Sequence, residues 1–134
     1  MRIKNLLLPF MMLCASVVYA QDTSKPEKIF TYVEQMPTSG YDYAGFIAKN
    51  LHYPDAARKN NLEGRVTVRF IVHEDGSIGD VKVLRGIGGG CDEEAARVVS
   101  SFPKWHPARQ GGKPVSVYYT LPISFQLTTE DQKK

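Results

Sequence analysis

The sequence predicts an α+β domain in which a three-stranded antiparallel sheet carries helices on one face, in a split strand-helix-strand order. Three observations predict it. Val66, Val68, Phe70 and Val72 alternate with mostly polar residues, and a second extended run to Arg85 follows across Asp75-Gly76, which reads as a hairpin. After Gly86 to Gly90 the period changes, with Ala95, Val98, Val99 and Phe102 at helical spacing. A last run closes on the alternation Ile123, Phe125, Leu127. With a right-handed helical crossover, the first strand lies between the other two and opposes both, leaving the second and third strands as edges.

The elements follow in order. Residues 1–20 hold Arg2 and Lys4, an apolar stretch over residues 6–18, and Val18-Tyr19-Ala20 before Gln21, the layout of a cleaved export signal. The apolar run is short against the about 20 residues of a membrane-spanning helix; an uncleaved inner-membrane anchor is the alternative. A lipoprotein cysteine at Cys14 is disfavoured by the Leu13 before it. Residues 21–50 are an N-terminal lead-in, flexible over residues 21–28, with a short helix over residues 42–51 through Ala44, Ile47, Ala48 and Leu51. Tyr53-Pro54 breaks that helix, because a residue before proline is pushed toward extended geometry, and Pro54 suits the first turn of another. In the first strand Ile71 is an apolar exception on the outer face. In the second, Ile78 has the opposite parity to Val81 and Val83, which predicts a bulge or twisted turn at Gly79. Asp92 is placed to cap the third helix, Glu93 and Glu94 suit its dipole, and Pro103 ends it. Residues 104–114 read as a loop holding Trp105. The last strand spans residues 115–127, where Pro122 lacks a donor and marks an edge, and residues 128–134 are a polar tail.

Composition narrows the class. With 43% hydrophobic, 10% aromatic and 23% charged residues, one small globular domain fits, and disordered, collagen-like and disulfide-scaffold chains do not. The net charge of +3 includes Arg2 and Lys4 of the leader; without them the balance against 14 Asp+Glu is +1. Such a balance argues against nucleic acid as a partner. Cys14 belongs to the leader, so Cys91 is left without an intramolecular disulfide and the core must hold the fold.

Cys91 follows a glycine-rich loop at a helix start, a place that lowers a thiol pKa, so a small thiol enzyme with His52, His73 or His106 as base is one reading. No histidine has an orienting Asp or Asn at a telling spacing, and the plainer reading is a small semi-buried residue before the helix cap. The same loop lacks the dinucleotide and Gly-Lys-Ser/Thr fingerprints, and no metal-ligand spacing occurs, so no catalytic residue, cofactor or metal is predicted. Tyr41, Tyr43, Tyr118 and Tyr119 read as packing, and Trp105 as a lid over the core. What remains is a sheet edge, a template for a strand from a partner, from the chain's own tail or from a homodimer.

Several fragments together carry a resemblance. Tyr53-Pro54-x-x-Ala57, Glu63-Gly64-x-Val66-x-Val68-x-Phe70-x-Val72 and Asp75-Gly76-x-Ile78-x-x-Val81-x-Val83-Leu84 come first. Asp92-x-Glu94-Ala95, Trp105-x-Pro107, Pro114-Val115 and Pro122-Ile123-x-Phe125 follow in order. Over residues 51–127 the chain resembles the TonB C-terminal domain family, and Val33-Glu34-Gln35-Met36-Pro37 resembles the segment that precedes it. The resemblance implies a periplasmic, non-enzymatic domain with helices over a three-stranded antiparallel sheet. In the family it grips the TonB box of an outer-membrane transporter by adding that segment as a strand, linked to energy transduction and transport. Carried onto this chain, it implies partner-binding residues Val115, Ser116, Val117, Tyr118, Tyr119 and Thr120 in the last strand. Leu51, His52, Tyr53 and Pro54 match the family's receptor-contacting Tyr-Pro segment. The partner is then a transporter or another envelope protein. The anchored alternative makes the chain a full transducer; the sequence shows no Pro-rich spacer like that of such a transducer, and residues 21–51 reach at most roughly 100 Å when stretched.

Overall fold

In a computed structural model residues 26–128 are described, so the leader, residues 21–25 of the flexible lead-in and most of the polar tail lie outside the described residues. The elements are β1 (Ile29–Phe30), α1 (Tyr43–Asn50), α2 (Asp55–Lys59), β2 (Gly64–Val72), β3 (Ile78–Arg85), α3 (Cys91–Ser100), β4 (Ala108–Gln110) and β5 (Lys113–Phe125). The sheet order is β1-β5-β2-β3, with β4 pairing β5 off that path. As the crossover rule requires, β2 lies between β3 and β5 and opposes both, in unbroken register from Gly64 opposite Phe125 to Val72 opposite Val117.

The α+β class and the three central strands are those the sequence predicts, but two short strands are added. β4 falls within the stretch read as a loop: Gly111 and Gly112, at φ +58 and +76, turn the chain so that Ala108 faces Val115. β1 runs parallel to β5, with Ile29 opposite Ser116 and Phe30 opposite Val117. The start of β5 is therefore not an edge. Of the stretch read as flexible, the described part before β1 is held, since the Glu27 carboxylate accepts from the Ser116 hydroxyl and lies 2.9 Å from Nδ1 of His73.

The core explains the period-two pattern. Val66, Val68, Phe70 and Val72 meet Val117, Leu121, Ile123 and Phe125 from β5, and α3 covers them with Ala95, Val98 and Val99. Phe70 anchors an aromatic group, its centroid 5.5 Å from Trp105, 6.0 Å from Phe102 and 5.7 Å from Tyr119. Trp105 is the predicted lid, 4% exposed, and its Nε1 donates to the Tyr41 hydroxyl at 3.0 Å. Its backbone N–H donates to the Gly76 carbonyl at 2.9 Å. Gly76 is required there twice over: its φ is +88, and a Cβ would stand 2.1 Å from the Trp105 carbonyl oxygen.

Four local expectations change. The bulge falls one residue after Gly79: Arg69 opposes Lys82 and Ile71 opposes Gly79, so the extra residue includes Asp80 at φ +46. It returns Ile78 to the core side with Val81 and Val83. Ile71, expected on the open face, is 2% exposed, flanked in register by Tyr118 and Gly79. Asp92 does not cap α3. Gly90 at φ +87 holds that position, and Asp92 Oδ1 instead accepts from the Ile87 and Gly88 N–H groups at 2.8 and 3.2 Å, closing the glycine loop. Pro54 stands at the cap of α2 rather than inside its first turn.

Candidate strand-binding edge

β2 occupies one side of β5 from Val117 to Phe125. On the other side β1 ends at Val117, and β4 pairs only with Lys113, Pro114 and Val115, ahead of the β2 ladder. Among the described residues no strand pairs with the outer side of β5 from Tyr118 to Phe125. Pro122 sets the direction of this edge. It opposes Thr67 inside the unbroken ladder, and a residue without an N–H is accommodated where its backbone points away from the neighbouring strand. By the period of two, Tyr118, Thr120 and Ser124 share that direction, so their N–H and C=O groups face outward. Val117, Tyr119, Leu121, Ile123 and Phe125 turn theirs to β2 and their side chains to the core.

The residues assigned to partner binding therefore divide. Val115, Ser116 and Val117 already face Ala108, Ile29 and Phe30. Ser116 is 2% exposed, and its hydroxyl accepts from the Glu74 N–H at 3.0 Å. Tyr118 and Thr120 lie on the open stretch with outward backbone, whereas the Tyr119 backbone faces Phe70.

Leu51, His52, Tyr53 and Pro54 join α1 to α2 in extended geometry, with φ, ψ of −77, 123 at Leu51 and −63, 139 at Pro54. The proline and a clamp from α3 hold them so. Glu94 accepts from the His52 N–H at 2.8 Å, and Arg97 donates to Glu94 at 2.6 and 2.9 Å and to the Asn50 carbonyl at 2.8 Å. The Arg97 hydrogen bond first, then the His52 N–H, keeps the Glu94 carboxyl below its ordinary range despite partial burial. Tyr53 donates its hydroxyl to the Leu62 carbonyl and sets its ring edge-on to Phe125, centroids 5.6 Å apart. His52, Tyr53, Pro54 and Arg97 line an open groove of 510 Å³. This segment thus sits at the Phe125 end of β5. Tyr118 lies seven positions back from Phe125 along that strand, roughly 23 Å away, so the two predicted binding parts lie toward opposite ends of the open stretch rather than forming one patch.

The reactive-thiol idea meets an opposing geometry. Cys91 is the first residue of α3 and 0% exposed, and burial, then Asp92 and Glu93, push its thiol above the ordinary value. Among the described residues no group of His, Cys, Asp and Glu could hold a metal ion, and no helix is long and apolar enough to cross a membrane. Sequence reasoning missed β1 and the Glu27, Ser116 and His73 contacts. Their signal is weak: Ile29-Phe30 is an apolar pair too short to show a period.

In class, this is a small α+β module whose distinctive feature is a sheet edge open over half of its longest strand. The family model of the Gram-negative bacterial TonB protein C-terminal matches residues 49–127, and the chain belongs to that family. Its domains are non-enzymatic modules of energy transduction and interaction, which sets the thiol enzyme aside. Protein TonB of Pseudomonas aeruginosa is 31% identical over 75 residues, covering 56% of this chain and 22% of that protein's length. A solution structure of the Helicobacter pylori TonB C-terminal domain is 24% identical with a TM-score of 0.49, over 64% of this chain and 95% of that one. The Pseudomonas aeruginosa domain is 31% identical with a TM-score of 0.45, over 57% and 77%.

Proposed function

We propose that this chain is an exported TonB-like binding module of the cell envelope. It captures an extended segment of an outer-membrane transporter, the TonB box, by adding it as a strand beside β5, and so takes part in TonB-dependent transport. The observation that carries this reading is the outer side of β5 beyond Val117, where main-chain groups face outward from a strand otherwise locked in its ladder. An incoming strand satisfies them through hydrogen bonds that need no particular side chain. Family membership supports the TonB box as that strand. The clamped Leu51-to-Pro54 segment offers a second contact at the far end. The leader supports a periplasmic location, and mass spectrometry of the exported chain is expected to find Gln21 as its first residue; Met1 there would make the chain a membrane-anchored transducer.

The test is titration of the purified chain with labelled TonB-box peptides from its host's transporters. Thr120→Pro deletes one outward donor in the direction Pro122 already tolerates, so unfolding should change little. Loss of one net hydrogen bond, about 1 kcal/mol, weakens capture about fivefold. Unchanged affinity in a folded Thr120→Pro variant, or no binding of any such peptide by the parent, overturns strand addition.

A further inference from the structure

The sheet face opposite the core is graded in charge along its strands. On β2, Arg65, Thr67 and Arg69 alternate with the buried valines, and the β5 residues opposite them, Ser124, Pro122 and Thr120, are uncharged and exposed. On β3, Lys82 opposes Arg69 and Arg85 opposes Thr67. Arg65, Lys82 and Arg85 are exposed, and the Arg69 guanidinium lies over the Tyr118 ring, Cζ 4.5 Å from the centroid. Two carboxylates share this half of the face. Asp80 lines an open depression of 310 Å³ with Arg69, Val81, Lys82 and Tyr118, and Glu63, which accepts from the Leu127 N–H, lines another with Arg65. Neither is paired with a cation, because the ion pairs among the described residues belong to Arg58, His73 and Arg97. Four cations thus stand against two acids over the stretch from Arg65 to Lys82. At the other end of the hairpin the sign reverses, with Glu27, Glu74 and Asp75 gathered around His73.

We propose that the Arg65-to-Lys82 half of this face docks on a bilayer surface that carries anionic phospholipid. Its depressions are open, and a discrete small ligand needs more enclosure than they give. A plane of lipid phosphates asks only for a plane of cations, and these cations are free of partners within the fold. Each one near such a surface strengthens binding about fivefold, and each carboxylate opposes it. The guanidinium forks of Arg65 and Arg85 suit phosphate oxygens, and Tyr118 brings an amphipathic ring of the kind that settles at headgroup level. Repulsion at Glu74 and Asp75 tips the hairpin turn away, so the Arg65 and Arg85 end leads the approach. Membership of an envelope protein family puts such surfaces within reach. The docking needs no captured strand, and it would lay the open stretch of β5, part of the same sheet, close to the membrane plane.

The test is co-sedimentation of the exported chain with vesicles of phosphatidylcholine, pure or with about a third of phosphatidylglycerol, in about 50 mM salt. The chain is expected to bind the phosphatidylglycerol vesicles at least about tenfold tighter. Arg65→Gln and Lys82→Gln each weaken that binding about three- to fivefold. Asp80→Asn, which its φ of +46 accepts, tightens it by about as much. Lys49→Gln, exposed on α1 over the core, and Glu74→Gln at the turn each leave it within about twofold. If Arg65→Gln loses its fold, judged by Trp105 fluorescence, Arg85→Gln takes its place. All variants share one leader, so the differences between them report the face. Phosphatidylglycerol that adds nothing, a loss in Lys49→Gln as large as in Lys82→Gln, or an Asp80→Asn chain no tighter than the parent overturns the inference. Retention on an anionic polysaccharide with no binding to vesicles overturns it equally, and none of these outcomes touches strand addition.

Discussion

Glu94 ties the Tyr-Pro segment to α3, and its removal tests how that segment is held. In Glu94→Ala the His52 N–H loses its 2.8 Å acceptor and Arg97 loses both of its carboxylate contacts. One net hydrogen bond contributes about 1 kcal/mol. The ion pair, with Arg97 half exposed and Glu94 14% exposed, adds about 0.5 kcal/mol. The expected loss is about 1.5 kcal/mol, or about 6–12 °C in Tm for a domain of this size. Glu94→Gln keeps an acceptor for His52 and should lose only about a third of that. The effect depends on pH with a definite sign. The folded carboxyl titrates below its ordinary 4.5, so its contribution is fully present above that value and fades as pH falls through the folded pKa. Thermal unfolding followed by Trp105 fluorescence, at about pH 7 and down to about pH 3, reads both quantities. A Glu94→Ala variant as stable as the parent at neutral pH, or a deficit that persists undiminished at low pH, would refute the clamp.

Other expectations concern the core and its turns. Cys91 should resist a thiol reagent such as dithionitrobenzoate until the domain unfolds, and Cys91→Ser should cost about 1–2 kcal/mol by burying a hydroxyl, with peptide capture unchanged; rapid labelling of the folded chain would contradict this. Gly76→Ala meets the Trp105 carbonyl at 2.1 Å in a left-handed backbone and should cost about 3 kcal/mol or more. Gly88→Ala, at φ +77 with nothing within 4 Å, should cost only about 1 kcal/mol; equal Tm losses for the two would contradict the close approach. Glu27 is held below its ordinary 4.5 by the Ser116 hydroxyl first and His73 second, so the seat of β1 is intact above that value and loosens as pH falls through the folded pKa. Hydrogen exchange of the β1 amides should then quicken in acid relative to β2; no change in that ratio would count against the contact.

The central sheet was legible because its residues carry a strong local signal. Apart from Ile71, Val66 to Val72 bury one parity and β5 largely repeats the pattern, so strand identity, order and the α3 stripe follow from periodicity and a chirality rule. β1 and β4 were not legible, because two or three residues cannot display a period and both exist only through partners far along the chain. Asp92 misled for a related reason. An acid before a helix reads as a cap, yet Gly88, Gly89 and Gly90 all take positive φ, and the loop they form competes for the same carboxylate. At the edge, Pro122 marked the stretch of β5 that β1 leaves uncovered, not the whole strand, and its meaning was larger than an edge label. Once the register places it opposite Thr67, the same proline separates outward from inward donors along the strand. That distinction needs the pairing partner, which the sequence does not print.

β1 has a consequence beyond covering part of the edge. Because it pairs with Ser116 and Val117 and goes no further, it acts as an end stop on the berth beside β5. The vacant length runs from Tyr118 to Phe125, about eight residues or roughly 26 Å, and it is closed at the Tyr118 end. A strand added there that continued past Tyr118 would have to bend away or evict Ile29 and Phe30 together with the Glu27 contacts behind them. Under the proposed strand addition, a guest's position would thus be set from one end: it could run on past Phe125, but growth beyond Tyr118 would first have to undo a piece of the host.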